Sequence, residues 1–237
     1  MYEVRNIAFS YGSRQVLRDV SFVVSPGEAV AVVGANGSGK TTLVKTLVGL
    51  AVPDSGQVLV DGQNVAGNPE RYRRQLGYLP EKIALYDEMR VADYLKFRAA
   101  LKGENSRRLR RRVEEALEMC RLQELATERI ERLSYGCRKR VALADALILR
   151  PRVLVLDDLL AGLDATLRAA AGEIMREAAS FSSVIVTGHE IADLAKWATS
   201  FLVLSDGIIA SAIPTAGAEP EELVSRVQAA LDEGGAR

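Results

Sequence analysis

The chain has 237 residues, 48% hydrophobic and 26% charged, a balance that excludes a disordered or low-complexity protein and suffices for a sizeable core. Lys plus Arg number 31 and Asp plus Glu 31, so no global charge argues for a nucleic-acid partner. The two cysteines, Cys120 and Cys137, fit neither a metal-ligand spacing nor a CxxC pair, which points to a reduced compartment.

The chain starts with "MYEVRNIAFSYG", which has no apolar signal region. "EAVAVVG" (28–34) reads as a buried strand entering a glycine loop, and "KTTLVKTLVGL" (40–50) as the helix after it. "GQVLVDG" (56–62) is a strand bracketed by glycines. From about Ile83 to Arg150 the pattern turns helical. Leu109, Val113, Leu117 and Cys120 form one stripe, and a further helix is expected from about Arg138. Strands return at Val153–Leu156, Val184–Thr187 and Phe201–Leu204, with helices between them, and "EPEELVSRVQAALDEGGAR" closes the chain as a surface helix. This order predicts an α/β fold: a mostly parallel core sheet with an antiparallel N-terminal β part and an inserted α-helical lobe. Residues 1–81 and 150–211 would form the core, 82–149 the lobe and 212–237 the tail. Arg150, Arg152, Asp157 and Asp158 interrupt the longest apolar candidate, so no membrane span is expected.

"GANGSGKT" (34–41) fits G-x-x-x-x-G-K-[ST] between a predicted strand and a predicted helix. Its glycines let backbone N–H groups curl around an anion, to which the helix N-terminus adds partial positive charge. Lys40 supplies a point charge for phosphates and Thr41 an oxygen for Mg²⁺. "VLVLDD" (153–158) ends a buried strand in two acids, which are costly to hide unless a cation meets them. Mg²⁺ at Asp157, together with Lys40, would be that cation.

At this point "ERLSYGCRKRVALADALILRPRVLVLDDLLAGLD" (131–164) resembles the ABC transporter ATPases, whose motifs follow in the family's order over about residues 2 to 211. The nearest flavour is the bacterial exporter type of haem export, drug resistance and gliding motility. The resemblance implies ATP held by Gly34, Ala35, Asn36, Gly37, Ser38, Gly39, Lys40, Thr41 and Thr42, with Tyr11 stacked on adenine. It implies Thr41, Glu81 and Asp157 on Mg²⁺. Leu133, Ser134, Tyr135, Gly136 and Cys137 take the signature place, where Ser134 and Gly136 would reach ATP held by a second ATPase subunit. Ala161, Gly162, Leu163 and Asp164 match the D-loop, and His189, the chain's single histidine, the switch position. Such a subunit sits in the cytoplasm against the inner face of the membrane. There it drives a transmembrane permease through a groove near Glu81 to Asp93, with no nucleic acid and no span of its own.

Three positions depart from the commonest family pattern. Glu81 stands where glutamine is common, and Tyr135 and Cys137 replace Gly and Gln. Asp158 stands where the family carries the glutamate that polarises the attacking water. Its carboxylate is one methylene shorter, roughly 1.5 Å by a C–C bond length, and Leu159 and Leu160 replace the usual Pro-Thr or Pro-Ser. Slow but real hydrolysis is expected, with Asp158, His189 and Lys40 as the catalytic set. Two alternatives stand beside it: an ATP-gated, hardly hydrolysing half of a mixed pair, and a non-transport ABC ATPase. The arginine run 107–112 reads first as a solvated helix face, and second as a contact for anionic lipid headgroups.

Overall fold

The computed structural model describes residues 1–235. Two sheets open the fold. Strands β1 (Tyr2–Tyr11) and β2 (Arg14–Val24) form an antiparallel pair. Then β3 (Ala29–Val33) runs into helix α1 (Lys40–Leu47), and β4 (Ser55–Val60) and β5 (Gln63–Asn64) complete the four-stranded order β2-β1-β4-β5. Helix α2 (Pro69–Gln75) leads to β6 (Leu76–Leu79). Three helices follow: α3 (Val91–Leu101), α4 (Ser106–Met119) and α5 (Tyr135–Leu147). The chain then alternates through β7 (Val153–Leu156), α6 (Ala165–Ala179), β8 (Ser183–Thr187), α7 (Ile191–Leu194), β9 (Ser200–Ser205), β10 (Ile208–Pro214) and α8 (Pro220–Gly235).

The second sheet has the order β10-β9-β3-β8-β7-β6, parallel throughout except at the β9–β10 edge. The apolar runs of β3, β7 and β8 are explained by this placement, since both faces are covered and every residue of the three strands is buried. Alternate residues feed two cores. Val30, Val32, Val153 and Val155 join the cluster under the antiparallel sheet and α1. Ala31, Val33, Leu154 and Leu156 join the cluster shared with α3 to α6. The Tyr2 and Tyr72 hydroxyls both donate to the Leu47 carbonyl, tying the end of α1 to β1 and α2.

The predicted mostly parallel sheet, antiparallel N-terminal part and helical insertion are all present. Two expectations need correction. Helix α5 begins at Tyr135 rather than near Arg138, because the Ser134 hydroxyl caps it by accepting from the Cys137 N–H at 3.3 Å. Strand β10 runs through residue 211 to Pro214, so the tail begins after that edge strand. Among the described residues no helix is long and apolar enough to cross a membrane.

Register positions the chemistry. Val32 pairs with Thr187, and Leu156 pairs with Val186. The carboxyl ends of β3, β7 and β8 therefore lie level, with Asp157 beside Thr187 and Thr187 beside the start of the glycine loop. The ends of parallel strands are where ligands gather in such sheets.

Candidate functional site

The loop between β3 and α1 depends on glycine at two close approaches. A Cβ on Gly34 would lie 2.3 Å from the Leu204 carbonyl oxygen and 2.6 Å from Ser38 Oγ. Gly39 caps α1 with φ 109°, a left-handed value that side chains resist, and a Cβ there would press Leu17 and the Val16 carbonyl. The loop so formed leaves the buried Ser38 Oγ without a protein partner. Lys40 Nζ donates to the carbonyls of Gly34 at 2.7 Å and Ala35 at 3.0 Å, bridging the loop.

A cleft of about 500 Å³ opens over this loop. It gathers Tyr11, Asn36, Gly37, Gly39, Lys40, Thr41, Thr42, Glu81, Asp157, Asp158 and His189 from the sequence-derived set. Gly34, Ala35 and Ser38 form the loop beneath it. Tyr11 is 52% exposed at the cleft, its ring T-shaped to Phe9 at 4.9 Å between centroids. Glu81 and His189 also line the cleft and are exposed.

The two acids differ in setting. Asp157 is buried, and its Oδ1 accepts from the Thr187 hydroxyl at 2.7 Å. Burial raises its pKa above the usual carboxylate range, Glu81 and Asp158 push it further, and Thr187 and Lys40 oppose the rise. Asp158 has φ 54°, and its N–H donates to the same Thr187 oxygen at 2.9 Å. Its Oδ1 is buried without a hydrogen bond. Burial again raises its pKa first, then Glu190, with Lys139 and His189 opposing. Among the described residues neither acid forms an ion pair. Lys40 acts on them only at a distance, its own pKa lowered by burial and held up by the two carboxylates.

The residues that fit a divalent ion here are hard oxygens: Thr41, Glu81 and Asp157 all line the cleft, and Asp157 is a buried carboxylate without an ion-pair partner among the described residues. Among the described residues no three His, Cys, Asp or Glu side chains converge to hold a metal unaided. The ion would therefore arrive with phosphate oxygens completing its shell, as Mg²⁺ commonly does.

The signature residues 133–137 and the D-loop residues 161–164 do not line this cleft. Ser134 and Tyr135 face outward at the start of α5, Tyr135 51% exposed. Gly136 is packed so tightly that a Cβ would meet Leu167 at 2.3 Å. The Asp164 carboxylate caps α6 by accepting from the Leu167 N–H at 2.9 Å. Sequence reading missed Arg14 and Val16, which line the cleft, and Thr187, which holds both acids. A threonine closing the apolar run before "GHE" was the available signal for the last.

The family model described as ABC transporter matches residues 17–161. An uncharacterized ABC transporter ATP-binding protein, YxlF of Bacillus subtilis, is 33% identical over 209 residues, covering 88% of this chain and 69% of that protein. The sulfate/thiosulfate import ATP-binding protein CysA of Methylococcus capsulatus is 36% identical over 214 residues, covering 87% of this chain. The chain spans only 61% of that relative's length. A solved ATP-binding subunit of an ABC transporter superposes with a TM-score of 0.84 at 30% identity, covering 96% of this chain and 99% of that one.

Proposed function

The chain belongs to the ABC transporter family, and on that premise we propose that it is the subunit that binds and hydrolyses ATP to drive a membrane permease. The observation that carries the proposal is the cleft itself. One phosphate-type loop, one buried acid held by Thr187, one second acid with an unpartnered oxygen and one exposed histidine all open on the same space.

ATP enters with its adenine on the exposed Tyr11 ring and its phosphates over the 34–42 loop. Lys40 Nζ and the N-terminus of α1 meet the β- and γ-phosphate oxygens, and Ser38 Oγ gains the partner it lacks. Thr41, Asp157 and Glu81 would hold Mg²⁺, which when bound neutralises charge on the phosphate oxygens. Asp158 orients the attacking water and takes its proton, a task suited to a carboxylate whose proton affinity is raised. His189 faces the γ-phosphate from the end of β8.

The outward-facing Ser134 and the start of α5 supply the other half of a second subunit's site, so two ATPase subunits close around two nucleotides. In this reading residues 1–81 and 150–214 are the nucleotide-binding core, 82–149 the lobe carrying the signature, and the remainder a tail. The subunit works at the cytoplasmic face of the membrane, its permease seated near residues 81–93. The permease sets cargo and direction: the export-type likeness is one of motifs, while the Methylococcus relative is named for import. No observation favours a non-transport role.

Size-exclusion chromatography tests the binding half of this reading. Asp158→Asn with Mg-ATP should elute as a dimer and revert without nucleotide. Lys40→Ala should stay monomeric and lose at least about tenfold in ATP affinity, as expected when a charge-assisted phosphate contact is removed. Unchanged affinity in Lys40→Ala would reject the loop as the phosphate site.

A further inference from the structure

Lys139 has no part in the cleft, yet it is 2% exposed. A buried ammonium is costly unless it is hydrogen-bonded, and among the described residues Lys139 forms no ion pair. Its Nζ instead donates to two main-chain carbonyls, of Asp158 and of Ala161, each at 2.8 Å. The same Nζ lies 5.9 Å from the centre of the Tyr135 ring. That ring rests on Gly162, where a Cβ would come within 2.8 Å of it. The first turns of α5 are thus stapled to the turn that follows β7.

The stapled turn begins with a residue in an unfavourable conformation. A φ of 54° at a non-glycine residue holds only where the surroundings enforce it. Both ends of Asp158 are enforced, its N–H by the Thr187 hydroxyl and its carbonyl by Lys139. We propose that Lys139 is a positioning residue for Asp158: it fixes the left-handed turn that presents the short carboxylate to the cleft, and it couples that turn to the signature end of α5. The proposal rests on the reading of Asp158 as the hydrolytic acid. An alkyl ammonium with three donors suits the task, since two carbonyls and an aromatic face converge on one point.

The test compares Lys139→Met with Lys139→Arg, alone and combined with Asp158→Asn, in the full-length protein. Lys139→Met should lower kcat by about 10- to 100-fold, the scale of loss from a misplacement near 1 Å. Its KM for ATP should stay within about twofold, and Lys139→Arg should recover part of the rate. In the Asp158→Asn background Lys139→Met should cost nothing further, because both act through one carboxylate. Hydrogen exchange of the 157–164 peptide should quicken in Lys139→Met while β3 and α1 stay unchanged. An unchanged kcat, a full extra loss on top of Asp158→Asn, or unchanged exchange would each overturn the proposal. If Lys139→Met does not fold, Lys139→Gln, shorter and uncharged, takes its place. If the natural protein shows no turnover, the hydrolytic reading fails, and the exchange result alone decides whether the tether exists.

Discussion

Thr187 carries more of the site than its size suggests. One hydroxyl donates to Asp157 and accepts from the Asp158 N–H, so both acids hang from it. Thr187→Val keeps the volume and removes both bonds, leaving two buried polar groups unpaired at about 1–3 kcal/mol each before relaxation. The expected outcome is an unfolding midpoint shifted down and kcat reduced by roughly tenfold or more through a displaced Asp158. Urea titration and steady-state rates check it, and a variant equal to the natural protein in both would refute the linkage. Legibility at this scale follows chemistry. The glycines, Lys40 and the acid pair announced themselves because their types and spacing are read by phosphate and metal. Lys139 did not, because its partners are main-chain carbonyls, which leave no letter in the sequence.

Among the elements, β3, β7 and β8 were visible as continuous apolar runs, the mark of strands covered on both faces. Strand β10 was not, since it lies at the sheet edge and alternates exposed residues with ones that, except for the buried Ile213, are only half-buried. The start of α5 lies three residues earlier than expected because the Ser134 hydroxyl caps the helix, taking residues 135–137 into its first turn. Inside the helical insertion, α5 is tied to α3 by Asp145, which pairs with Arg98 at 2.9 Å and Lys102 at 2.7 Å. Asp145→Ala leaves two cations facing a mostly buried gap. A loss of about 3 kcal/mol is expected, the low end for breaking a buried pair because Arg98 keeps 30% exposure. Denaturant unfolding measures it, with a loss under about 1 kcal/mol contradicting a structural role for the pair. On α4, Arg110 and Arg111 pair with Glu114 and Glu115 in the open, as a solvated face would, whereas Arg112 turns inward to a largely buried pair with Glu104.

The whole molecule holds several protons that unfolding would release. Burial raises the Tyr2, Tyr72 and Tyr94 hydroxyls above their ordinary value, with Asp145 adding to Tyr94, and pushes the Cys120 thiol from 9.0 up to about 12. Each folded-state pKa lies above its unfolded value, so the unfolded chain sheds protons first as pH rises. The linked stability is full below about pH 9 and falls from there upward. Burial lowers Lys40, Lys102 and Lys139 and so opposes this trend. With four raised groups against three lowered ones, thermal unfolding should give a lower Tm at pH 10.5 than at pH 8, and a higher Tm would contradict it. At the same scale, the family membership and the α/β architecture were readable because the motifs occur in order along one chain. Cargo was not, because the motifs that mark the family are read by phosphate and metal, not by a transported molecule.

In the proposed mechanism the short acid at Asp158 still works. Steady-state ATP hydrolysis with Mg²⁺ tests it most directly, comparing the natural protein with Asp158→Asn and Asp158→Glu. Turnover in the natural protein, lost by about 100-fold or more in Asp158→Asn, is the predicted result for removal of a general base. A natural protein that is silent until Asp158→Glu restores hydrolysis would contradict it, and would identify the chain as the detuned half of a mixed ATPase pair.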